Sequence, residues 1–234
     1  MIDHTPFYLT LLIVVAVLIG IVLWKYVLSP RARRRRLLAQ YRGVPIAQTE
    51  DGELVKLVGL VRYVEGSPPL VAPLSDREGV HYSVEVDQKK SNNTNARWTE
   101  LIREHATHSE MWIEGPAEGE RALVDLASAD VELVMDGSWA SGFHNDATPT
   151  LERFLARHGE RSEGILFNKG LRYREGVLEE GERVAVLGRC IRELDPDPRA
   201  AGADGGYRSR PTRLHIIAPV KHPIIVTDDA KLFH

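Results

Sequence analysis

The chain has 234 residues, and its 30 Lys/Arg against 33 Asp/Glu give a formal net charge of −3. The balance is uneven: residues 1–36 hold six Lys/Arg and one acid, leaving 24 basic and 32 acidic residues, about −8, for residues 37–234. An acidic body disfavours nucleic acid, whose phosphates need a basic surface, and a single cysteine, Cys190, excludes an intrachain disulfide or a cysteine-based zinc site within these residues.

Between Asp3 and Lys25 there is no Asp, Glu, Lys or Arg, and residues 5–24 (TPFYLTLLIVVAVLIGIVLW) make a 20-residue apolar run. As a helix that run spans about 30 Å, the thickness of a hydrocarbon core, which predicts an N-terminal transmembrane anchor over residues 1–28. A cleaved signal would carry its positive charge before the apolar run; here the charge follows, so an uncleaved single-pass anchor is expected. Residues 29–51 then form a basic collar and linker. The predicted membrane-interface set is Trp24, Lys25, Tyr26, Arg31, Arg33, Arg34, Arg35 and Arg36. Its partner is a lipid bilayer with anionic headgroups, each cation being held by about 1 kcal/mol. By the positive-inside rule the N-terminus lies out and residues 37–234 lie in the cytoplasm, beside the cell (inner) membrane.

Residues 52–234 read as a mainly β domain, barrel or OB-like, with one short packed helix. Residues 53–65 alternate around a mid-strand Gly59, a sign of a bend or bulge, and residues 66–74 carry too many prolines for a central strand. Val80, Tyr82, Val84 and Val86 share one face of a predicted strand; His81, Ser83, Glu85 and Asp87 share the other. Residues 89–97 are polar and predict a hairpin tip or loop. Residues 110–126 read as two strands around a Gly-Pro turn, and 129–136 as another. In residues 147–159, Thr148 is a helix cap, Pro149 suits the first position and Gly159 the end, so Leu151, Phe154 and Leu155 face the sheet. Strands resume over 172–194, a loop fills 195–211, and residues 212–219 and 222–229 close the domain. The segments GELVKLVG (52–59) and GERVAVLG (181–188) echo one another, as two related β subunits would.

The ordered set PPLVAPLSDREGVHYSVEVD, Trp98, EMWIEGPAEGERALVDLASADVEL, LRYREGVLEEGERVAVLGRC and HPIIVTDD resembles the GIDE domain family. This domain, also called BAM for "beside a membrane", adjoins a membrane span in the mitochondrial ubiquitin ligase MULAN. The resemblance covers roughly residues 52–229 and implies that residues 98–104 form a strand, against the helix that RWTELIREHATH suggests. A cysteine frequent in the family before the YxVxV strand is replaced around Gly79-Val80. The ligase members also carry a RING, for which one cysteine does not suffice. Ubiquitin-ligase activity is therefore not carried over, and no enzyme is expected.

No catalytic set, cofactor or metal is expected. His105 and His108 are the nearest approach to a metal pair, and they lack fixed further ligands. Ser138, Ser141, His144 and Asp146 hint at a hydrolase, but all fall within ten residues of an expected loop. Glu175, Glu179, Glu180 and Glu182 read as a solvated acidic face, and Cys190 as a buried small hydrophobe. The leading expectation is a membrane-anchored, non-enzymatic β-rich domain that binds a protein partner or ligand near the bilayer, in membrane-complex assembly or stress response. The alternatives are a hydrolase using the Ser141/His144/Asp146 region and a purely structural role.

Overall fold

The computed structural model describes residues 12–18, 20–21, 29–92, 95–142, 145–162, 169–196 and 212–234. After the helical residues 12–18 and 20–21, its elements in chain order begin with α1 (Pro30–Gln40), β1 (Gly43–Val44), β2 (Leu54–Arg62), β3 (Leu70–Val71), β4 (Glu78–Gly79), β5 (His81–Asn92) and β6 (Asn95–Thr107). Next come β7 (Glu110–Glu114), β8 (Arg121–Asp125), β9 (Ala129–Glu132), β10 (Gly137–Ser141) and α2 (Pro149–Arg157). The last are β11 (Leu171–Leu178), β12 (Arg183–Leu194), β13 (Thr212–Ile217) and β14 (Ile224–Thr227). The mainly β expectation holds.

Five strands close on themselves. Going round, β2 pairs with β7, β7 with β8, β8 with β13, β13 with β12, and β12 again with β2; only β8–β13 is parallel. Alternate residues fill the interior: Val55, Leu57 and Val61 from β2, Met111 and Ile113 from β7, Val184, Val186 and Cys190 from β12. Two glycines allow the closure. β2 lies against β1 at Lys56 and Leu57, then against β7 from Leu60 onward, with Gly59 between. β12 lies against β14 at Ala185–Leu187, then against β13 from Arg189 onward, with Gly188 between. A Cβ on Gly59 would stand 2.5 Å from the Glu114 carbonyl oxygen, and one on Gly188 2.3 Å from Ile216 Cγ2. The echoing segments 52–59 and 181–188 are therefore paired neighbours in one barrel, each bearing a glycine where its outer partner changes.

A second, four-stranded antiparallel sheet runs β10–β11–β5–β6. α2 packs on one face of it, with Leu151, Phe154 and Leu155 buried against Val84, Val86, Ile102, Leu171 and Tyr173. Thr148 caps α2 by accepting from the Leu151 N–H at 3.4 Å. Residues 98–104 lie within β6, in strand form. Residues 89–92 and 95–97, expected as a hairpin tip or loop, carry the β5–β6 hairpin ladder on to Asn92↔Asn95, a ribbon reaching past the end of β11 at Gln88. Residues 137–141 need a correction: expected in a loop, they are strand β10, drawn into register by β11.

Candidate functional site at the collar helix

The collar sequence makes a helix because Ser29 accepts from the Ala32 N–H at 3.2 Å and Pro30 sits at the first helical position. Its one buried residue, Leu38, packs on Leu187 and Ile225, on the outside of the barrel. Under it lies Lys56, 1% exposed, whose ammonium donates to the carbonyls of Leu38 (3.2 Å), Leu232 (3.1 Å) and His234. Burial pushes the Lys56 pKa down, and three carbonyl acceptors, one at the end of α1, offset that cost.

The arginines of α1 bind the domain as well. Arg31 reaches Glu85 at 2.9 Å, Arg34 reaches Asp130 at 2.6 Å and Glu132 at 3.7 Å, and Arg35 pairs with Asp229. Burial pushes the Glu132 carboxyl up, against the downward pull of Arg34, Arg31 and Arg35. These three arginines thus reach protein carboxylates, although Arg31 and Arg35 stay exposed along with Arg33 and Arg36. Trp24, Lys25 and Tyr26 lie outside the described residues.

Glu85 is the centre of the polar face of the second sheet. Only 3% exposed, it takes Arg31 from α1, Arg103 from β6 at 3.1 Å and Arg174 from β11 at 2.8 Å. Beside it Asp87 takes Arg172 at 2.7 Å and Arg174 at 3.0 Å, and the Arg172 guanidinium lies over the Trp98 ring. The alternation correctly separated the two faces over residues 81–87, whereas Val80, expected with Tyr82, Val84 and Val86, packs in the barrel core instead. The alternation missed that the polar face is buried, because the ions hiding there are neutralised by residues far away in sequence.

Where this face meets the barrel, a cleft of about 510 Å³ is lined by His81, Ser83, Arg103, His105 and Thr107, with Leu126 and Val131 opposite. The His81 Nδ1 lies 2.7 Å from the Thr107 hydroxyl, and its ring stacks on His105 with centroids 6.2 Å apart. Burial, then the neighbouring His105, pushes the His81 pKa down to about 4.

The other expected residues are dispersed. His105 stacks on His81 whereas His108 meets the Tyr63 ring edge, and the described residues hold no group of three or more potential metal ligands. Ser141 is 5% exposed, with its hydroxyl 3.3 Å from the Tyr173 hydroxyl; Asp146 is exposed, and His144 lies outside the described residues. Glu175 is a correction: it is fully buried and accepts from the Leu74 N–H at 2.8 Å, pinning the proline-rich turn. Cys190 is buried, its thiol donates to Thr49 Oγ1 at 3.8 Å, and burial pushes its pKa up, as an inert cysteine requires.

Among the described residues no helix is long and apolar enough to cross a membrane; most of residues 1–28 lies outside them. No protein-family model matches this chain, and no curated protein or solved structure does.

Proposed function

We propose that this chain is a single-pass membrane protein whose β-rich part is a non-enzymatic binding module of the GIDE type, carried against the bilayer. The observation that carries the reading is the docked collar helix. A chain that leaves a 20-residue uncharged run enters α1 within six residues, and α1 is fixed to the folded body by Leu38, Lys56 and three ion pairs, one of them to the second sheet. A helix so held makes physical sense as the coupling between an anchor and a folded body. Residues 12–15, 17, 18 and 21 support it further: their apolar side chains are 46–69% exposed, a surface that lipid would cover.

The closed order β2–β7–β8–β13–β12 supports an OB-type reading of the barrel, in which binding is a matter of surfaces and loops. The protein partner is accommodated by the open edge of the second sheet: among the described residues β6 pairs only with β5, which leaves its outer backbone groups for strand addition. The collar charge supports a cytoplasmic side for this module.

Alkaline carbonate extraction of membranes holding the full chain tests the anchor: the protein is expected in the pellet, and release into the supernatant would end the proposal. Protease access in intact cells and in inverted vesicles tests the side, with cleavage of residues 37–234 expected only in the inverted vesicles.

A further inference from the structure

We infer that the protein binds the phosphate of an anionic phospholipid headgroup in a groove between α1 and the turn joining β13 to β14. The groove encloses about 630 Å³. Its polar lining is Arg33, Arg34, Arg36, Gln40, Lys221 and His222, with Asp130 its one carboxylate. Pro30, Leu37, Pro223 and Ile225 supply an apolar floor. Cationic rim and apolar floor together suit a headgroup that carries phosphate at one end and the start of acyl chains at the other.

Two further observations fix the source of the phosphate as lipid. Pro30 lies on the groove and only six residues after Trp24, so extended backbone keeps the groove within about 22 Å of the end of the apolar run. Beside Lys221, Val220 is 95% exposed at the tip of the turn. An isolated aliphatic side chain flanked by a lysine at the rim of a cationic groove is placed as a wedge into the headgroup region would be. Lys221, His222 and Val220 carry no sequence signal of their own; the fold brings them beside the collar.

This inference rests on the membrane tether proposed above, and its test is separate from carbonate extraction. The full chain in detergent is titrated with phosphatidylglycerol, with phosphatidylcholine and with inorganic phosphate, and retained lipid is counted by native mass spectrometry. Phosphatidylglycerol is expected to be retained roughly 10-fold better than phosphatidylcholine, and Arg33→Glu/Lys221→Glu to lose that preference with an unchanged melting temperature. Equal retention of the two lipids by the unaltered protein would overturn the inference whether or not the double variant folds. So would a folded double variant that keeps the preference. Displacement of the lipid by inorganic phosphate alone would assign the groove to soluble phosphate esters instead, and would equally overturn the lipid assignment.

Discussion

The barrel and the four-stranded sheet are stabilised by opposite means. The barrel closes around an aliphatic interior, and two strands turn from one partner to the next at glycines that leave no room for a methyl group. Among the described residues the sheet has no strand beyond β10 or β6; it covers one face with α2 and buries ions on the other. Shape limits the first and charge the second. Substitutions that add atoms should therefore damage the barrel, whereas changes of protonation or charge should damage the sheet.

The strongest way to break the barrel is Gly59→Val, because the clash is with a backbone carbonyl that cannot swing aside. Urea denaturation is expected to show a loss of at least about 3 kcal/mol. Acid should act next, and on the sheet. The folded pKa of His81, about 4, lies below its ordinary 6.5, so protonation opposes the fold. Stability is complete above about pH 6.5 and falls as pH drops toward 4, by roughly 2–3 kcal/mol. Denaturation curves at pH 7 and 4.5 should diverge less for His81→Gln than for the unaltered protein; equal divergence would remove His81 from the account.

Glu85→Gln removes the charge that three guanidiniums share. Because Arg31 and Arg103 have side chains more than 50% and about 50% exposed, water takes over part of their stabilisation. A loss of about 2 kcal/mol is expected, below the full cost of a sealed ion pair. Smallest of all is Arg35→Ala. Its pair with Asp229 is half exposed, so the loss should stay under about 1 kcal/mol and vanish in high salt. A larger value would mean that the docked collar contributes more than its ion pairs.

Local signals were legible in the sequence. The cap at Thr148 and the spacing of Leu151, Phe154 and Leu155 specify α2, and the two-residue period of residues 81–87 specifies the faces of β5. The bend at Gly59 was legible too, since an apolar strand keeps a central glycine only where backbones crowd. What could not be read depends on distant partners. The neighbours β2 and β12 are separated by most of the chain. Glu85 finds its cation 54 residues away, and Lys56 finds an acceptor 178 residues away. Alternation predicts which side chains share a face, not whether another element covers that face. The collar illustrates this: five clustered arginines read as a uniform belt, yet Arg31, Arg34 and Arg35 turn toward carboxylates that only the folded domain assembles.

Lys56 also sets an order of events during synthesis. Its ammonium can be sealed under α1 only when the carbonyls of Leu232 and His234 have arrived to receive it. Until residues 232–234 have been made, the cost of dehydrating that charge is offset only in part, so the seat of α1 waits on a distant segment of the chain.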